Sequence, residues 1–346
     1  MRQLIGIISF LTLVLGCKEP FSQSAETALA LPSKSNIKPR SVVFIAGFDE
    51  GDNTYYGNAK TYFEAKDMIL VDDLFSVEEI IRWLNQNSKP EKPYDEIHIV
   101  SHSNPWLGMS LKTSKNGKRI TLNTLQEENT QNKLALVEHA IADETKFIFH
   151  SCGLGENEAL LGALKLLFTN DKTPKVYASS YFNVFGGKYA AHYLARPYYN
   201  FYPTAESPGP AALSKEFKQK YDSLDIDWRT ALKNRHETTS GEAYSYKFNI
   251  PVDWEVTFDS KTDIPELNDK DSIMDFVSES SEMAATLYEL NIPLEKYRWK
   301  SEIRGNTLLI KGKTTVLCVL KPILDSNDTN EYRNTAFEDP FLYQIL

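Results

Sequence analysis

The stretch "KFIFHSCGLGEN" (146–157) decides how this chain is read. A short apolar run from Phe147 to Phe149 passes through His150 to Cys152 and stops at two glycines. The next residues, "NEALLGALKLLF" (157–168), repeat apolar side chains at helical spacing. This is the pattern of a buried strand that turns directly into a helix. A second stretch, "EIHIVSHSN" (96–104), has the same form and ends on His102 and Ser103. Both runs therefore deliver proton-exchanging or nucleophilic side chains to a strand end.

The alternation of strand and helix extends outward from these two runs. "SVVFIAGF" (41–48) and "DMILVDDL" (67–74) read as strands, and "SVEEIIRWLNQN" (76–87) as a helix with Ser76 and Glu79 at capping-box spacing. After the histidine run, Asn116-Gly117 lies between two alternating segments and marks a hairpin. Further expectations are a helix over 130–142, a strand at 175–182 and a helix over "GGKYAAHYLA" (186–195). Apolar strands separated by helices predict an α/β domain over 41–209 with a mostly parallel sheet covered on both faces. From 210 to 346 the chain reads as a smaller α+β appendage. Its strand candidates are "AYSYKFNIP" and "WEVTF", with a single helix "DSIMDFVSESSEMAATLYEL" and a closing hairpin "NTLLIKGKTTVLCVL".

Charge and the N-terminus bound the partners. A net charge of −9 without a basic run argues against broad nucleic-acid binding. Residues 1–17 place Arg2 before an apolar run from Leu4 to Leu15, too short to span a bilayer comfortably, which closes on "VLGC". This end resembles a bacterial lipobox, with Cys17 as the lipidated residue. The resemblance implies a lipid anchor at the bacterial cell envelope, on the outer membrane or cell surface. Residues 18–40 then form a polar tether.

In a parallel sheet, ligands gather at the carboxyl ends of the strands. If the strands ending at His102 and Cys152 are neighbours, both side chains project into one cleft. A thiol attacks carbonyls as its thiolate, and an imidazole can take its proton. Gly153 permits a sharp turn, a helix N-terminus near Glu156 favours negative charge, and the backbone amides of Ser103 and Cys152 are candidate oxyanion donors.

This order of elements resembles the caspase-like cysteine peptidases, the group that includes caspases, gingipains, clostripain and CHAT-type bacterial domains. "HIVSHSNPWLGMSL" is similar to the family's histidine strand with its hairpin, "FIFHSCGLGE" to its cysteine strand, and "KVYASSYFNV" to the strand that follows. The resemblance covers roughly 41–200. It implies a three-layer fold and a cysteine hydrolase, an endopeptidase acting on peptide or protein through Cys152 and His102 without a cofactor. Its specificity pocket would fall at Ser179, Ser180 and Tyr181. Ser103 stands where the family usually has glycine.

Other readings start from the same residues. A caspase-like domain can be catalytically silent and only bind peptide or protein. "SHSNP" is a degraded nucleophile elbow, with Ser103 as a serine esterase's nucleophile and His192 or His236 as partners, but it lacks both flanking glycines and leads into a hairpin. A metal site of His102, His150 and Cys152 is conceivable, whereas His98 lies about 13 Å down its strand from His102 and is too far to share one ion. Metal ligation is therefore not expected. Cys152 and Cys318 can pair as a disulfide in an oxidising compartment. The acidic "DEGD" (49–52) reads as a solvated loop, and the tyrosine-rich "ARPYYNFYP" (195–203) as a packed turn.

Overall fold

In the computed structural model, residues 39–47, 54–130, 134–203, 206–328 and 330–346 are described. Cys17, the tether up to residue 38 and the "DEGD" loop lie outside them. The first half of the chain builds β1 (Ser41–Ile45), α1 (Thr54–Glu64), β2 (Ile69–Val71), α2 (Val77–Asn87) and β3 (Glu96–Val100). A small antiparallel sheet follows, made of β4 (Ser103–Asn104), β5 (Gly108–Lys112) and β6 (Arg119–Ile120), and then α3 (Leu122–Thr130). Next come β7 (Lys146–His150), α4 (Glu158–Leu167) and β8 (Lys175–Ser179).

The second half contributes β9 (Phe182–Phe185), β10 (His192–Tyr202), α5 (Pro210–Lys220), α6 (Trp228–Ala231) and the long β11 (Tyr244–Thr257). After it come α7 (Lys270–Glu279), α8 (Ser281–Leu290), β12 (Arg298–Arg304), β13 (Thr307–Pro322) and β14 (Tyr343–Ile345).

Six strands form the main sheet in the order β14-β8-β7-β3-β1-β2. All pairs are parallel except β14 with β8. Side chains alternate faces along a strand, and the core divides accordingly. Val42, Phe44, Phe147 and Phe149 pack with α2 and α4 on one face. Val43 and Ile45 pack with Tyr56, Ala59 and Phe63 of α1 on the other. The chain is thus α/β, with a mostly parallel six-stranded sheet and a separate C-terminal antiparallel half-barrel. In that half-barrel β13 pairs with β11 on one side and with β12 and β10 on the other, and β9 extends β10.

The two regions exchange strands. β9 and β10 join the half-barrel, whereas the chain's last strand, β14, closes the main sheet. Pro39–Leu346 form one compact unit.

Local signals explain several elements. Ser76 caps α2, accepting from the Glu79 amide at 3.3 Å, while the Glu79 carboxylate accepts from the Phe75 amide and the Ser76 hydroxyl. Six expectations need correction. The closing hairpin expected at "NTLLIKGKTTVLCVL" is the single strand β13, and the turn expected at 195–203 falls on β10. The helix expected over 130–142 is α3, which lies earlier because the Thr121 hydroxyl accepts from the Thr124 amide and caps it there.

Residues 186–195 are not a helix. Gly186, at φ +74°, turns the chain so that β10 pairs back on β9, and this ladder overrides the helical spacing. The single helix expected after 270 breaks into α7 and α8 at Ser280, whose side chain caps the second. "AYSYKFNIP" and "WEVTF" are one strand. Pro251 removes an amide but is tolerated because β11 is an edge of its sheet.

Candidate functional site

β3 and β7 are parallel neighbours in register, with Val100 opposite His150. His102 and Cys152 each lie two residues beyond that pair, so both strands release their reactive residue at one edge. The chain leaves β3 through a hairpin in which the Asn104 side chain accepts from the amides of Trp106 and Leu107. It leaves β7 through Gly153, at φ +68°, and a 3-10 turn at Leu154–Glu156. A Cβ at Gly155 would meet the Ala178 carbonyl oxygen at 2.4 Å, so only glycine lets this turn lie against β8. α4 starts after the turn, capped by Asn157, which separates its N-terminus from Cys152 by a few residues.

His102 and Cys152 line the same cleft, a cavity of about 560 Å³. Phe182, Tyr193, Tyr244 and Tyr246 form aromatic walls, Lys188, Arg235 and Glu237 add charge, and His236 lies among them. Most of these walls come from the half-barrel and the segment before β11. Cys152 is buried and its thiol points to the Asn183 carbonyl oxygen at 3.7 Å. Burial pushes the thiol up to about 12, so at neutral pH the free protein holds S–H rather than thiolate.

His102 stacks on Tyr55 at 4.4 Å between ring centroids, and its backbone amide donates to the Tyr56 hydroxyl at 3.0 Å. The Tyr55 hydroxyl donates to the His150 carbonyl at 2.8 Å. One half-buried side chain on α1 therefore touches the histidine's ring and is tied to the cysteine's strand.

Beneath the cleft lies a buried imidazole chain. His98 Nδ1 and His150 Nε2 are 2.9 Å apart, with the rings nearly parallel. His98 Nε2 faces a Glu96 carboxylate oxygen at 3.5 Å, and Lys146 bridges Glu96 (3.7 Å) and Glu338 (2.9 Å). The carboxylate favours a proton on His98 Nε2. His98 Nδ1 then accepts from His150 Nε2–H, which leaves His150 Nδ1 as an acceptor. Burial lowers both imidazoles and, at His98, outweighs the opposing pull of Glu96. His192 lies against the same group, its ring 5.8 Å from that of His150, with Nε2 on Asn183 Oδ1 at 3.1 Å and Nδ1 on Thr335 Oγ1 at 3.2 Å. Burial lowers it to about 3.

The remaining expected residues sit elsewhere. Ser103 is buried and its hydroxyl donates to the Cys152 carbonyl at 2.6 Å, a structural tie between the two strand ends. Ser179, Ser180 and Tyr181 do not line the cleft. Ser179 is buried against β14, donating to the Leu342 carbonyl, and the Tyr181 hydroxyl accepts from Arg196. His236 lines the cleft and His192 does not. Cys152 and Cys318 are both free thiols. Among the described residues no three His, Cys, Asp or Glu side chains gather as a metal site. No protein-family model, curated protein or solved structure matches the chain.

Tyr55 and Asn183 were not legible as site residues. The tyrosine lies in a polar stretch without a motif, and the asparagine follows an apolar run that reads as an ordinary strand.

Proposed function

We propose that the protein is a caspase-like cysteine hydrolase, an endopeptidase acting on peptide or protein, held at a bacterial membrane by a lipid on Cys17. One observation carries the catalytic part: two adjacent, in-register parallel strands deliver His102 and Cys152 to one cleft. The anchor rests on "VLGC" alone.

Because the resting thiol is protonated, attack and deprotonation are coupled in this mechanism. As sulfur bonds to the scissile carbonyl carbon, His102 takes the thiol proton and the carbonyl electron pair moves onto oxygen. The amides of Ser103 and Cys152 are the proposed donors to that oxyanion. Collapse breaks the C–N bond, and the leaving amine takes the proton from His102. Water, deprotonated by His102, then cleaves the thioester and restores the thiol.

A second reading is favoured by the burial of Cys152, whose thiol lies far above the range of activated cysteines. In it, the cleft binds peptide and performs no chemistry. Incubation with a peptide chloromethyl ketone followed by intact-mass analysis separates the two. Hydrolase chemistry yields one adduct on Cys152 that is lost in His102→Ala. An unmodified chain leaves only the binding reading.

Tyr55 is a positioning residue within this proposal. Tyr55→Phe keeps the stack on His102 but removes the tie to the His150 carbonyl. The expected result is a roughly 10- to 100-fold fall in kcat with KM little changed. An unchanged kcat would show that the hydroxyl does not help to hold His102.

A further inference from the structure

We propose that the outer face of the β12–β13–β11 sheet binds a compact polyanion carrying two phosphate-type groups. Arg298 pairs with Lys313 and Lys300 with Lys311 in the antiparallel ladder of β12 and β13. Directly paired residues share a face, and so do alternate residues along a strand. All four cations therefore project to one side. They line a groove of about 330 Å³ together with Pro251 and Asp253 of β11, and all four are exposed.

This arrangement is costly without a ligand. Like charges directly opposed across a ladder destabilise it, and here two successive rungs are both cationic in a chain whose net charge is −9. The Arg298–Lys313 rung faces no acidic residue on β11, where Pro251 stands opposite. Among the described residues none of the four forms an ion pair. Asp253 of β11 pairs in register with Lys311, and the next same-face rung, at Leu309, carries Glu255 and Glu302, the latter paired with Arg304 at 2.8 Å.

The opposite face of the same strands is the apolar one. Val252, Trp299, Leu308 and Ile310 pack there with α7 and α8, so the cations cannot be explained by an inner partner.

The spacing names the ligand class. Rungs two residues apart lie about 7 Å from one another along the strands, and each places two cations about 5 Å apart at Cβ. A doubly charged phosphate fits between the members of one pair, and Arg298 adds planar two-point recognition. Two such groups about 7 Å apart satisfy both rungs. A membrane surface fits less well. The one large exposed apolar residue on these strands, Ile303, alternates onto the other face, so the groove offers nothing to insert into lipid.

Calorimetric titration of the full chain with inorganic tripolyphosphate at low ionic strength tests this. Saturable binding is expected, weakening steeply with salt. It should weaken at least tenfold in Lys311→Gln/Lys313→Gln and in Arg298→Gln/Lys300→Gln, and be retained in Lys218→Gln. Without ligand, each double variant should melt no lower than the parent, because a repulsive rung is relieved, and tripolyphosphate should raise the melting point of the parent and of Lys218→Gln more than that of either double variant. The proposal is overturned by absent binding, by binding within twofold in the double variants, or by double variants that melt lower. It is also overturned if only phosphatidylglycerol vesicles are bound and tripolyphosphate is not, which would make the face a membrane contact.

Discussion

Replacing Cys152 by Ala is expected to lower the hydrolysis rate by a factor on the order of 10⁴ to 10⁶, the scale seen when a nucleophile is removed from a working catalytic unit. His102→Ala is expected to cost about 10²- to 10⁴-fold, the usual contribution of a general acid–base group. The double variant should be little worse than Cys152→Ala, since a base without its nucleophile has nothing to activate. The burial of Cys152 adds a sharper signature. With its thiol pushed up to about 12, iodoacetamide should alkylate the free protein at pH 7.5 far more slowly than free cysteine, whose pKa is about 8.5. Turnover by a slowly alkylated thiol would identify coupled proton transfer. Rapid alkylation that depends on His102 would instead reveal a resting thiolate–imidazolium pair and overturn the coupled mechanism. Equal turnover in Cys152→Ala and the parent would remove sulfur from the reaction.

Folding stability should fall steeply as pH drops below about 6.5. His98, His150 and His192 are all held below the ordinary imidazole range by burial. In the unfolded chain they titrate near 6.5. Between the folded and unfolded values the unfolded state binds more protons, so stability rises with pH across that window and is level above it. For His192 the window runs from about 6.5 down to about 3. Each imidazole that stays neutral only when folded contributes up to about 1.4 kcal/mol per pH unit. His192 by itself implies a loss of about 1–2 kcal/mol between pH 6.5 and 5, and His98 and His150 add to it in the same direction. The half-buried Glu96, lowered chiefly by its contact with His98, adds to the loss in the same direction at more acid pH. Urea denaturation at pH 7.5, 6.0 and 5.0 measures it. A stability that is level from pH 7.5 to 5.0 would contradict the neutral imidazole chain.

The buried chain also shows why pairwise distance along a strand misleads. Reasoning from the sequence set His98 aside because it lies too far from His102 to share a metal ion with it. That separation holds along β3, but the neighbouring strand brings His150 against His98 instead. Both residues belong to the support beneath the cleft. The cationic rungs have the same origin. Arg298, Lys300, Lys311 and Lys313 look like scattered surface charges in the chain, and only the ladder of β12 and β13 opposes them.

What the sequence determined by itself was local. Short apolar runs specified β1, β3, β7 and β8. The Ser76 cap started α2, helical spacing marked α4, and the two strand ends displayed His102 and Cys152. These features depend on neighbours within a few residues, which a single window contains. Tertiary structure alone decided which strands pair and what surrounds their ends. It put the last three-residue strand beside β8, where Ser179 is covered, and turned 192–202 into a strand by pairing it with β9 and β13. It also built the walls of the cleft from residues between 182 and 320. Strand pairing satisfies backbone hydrogen bonds between segments far apart in the chain, so its register, and every side-chain contact that follows from it, is a property of the whole fold.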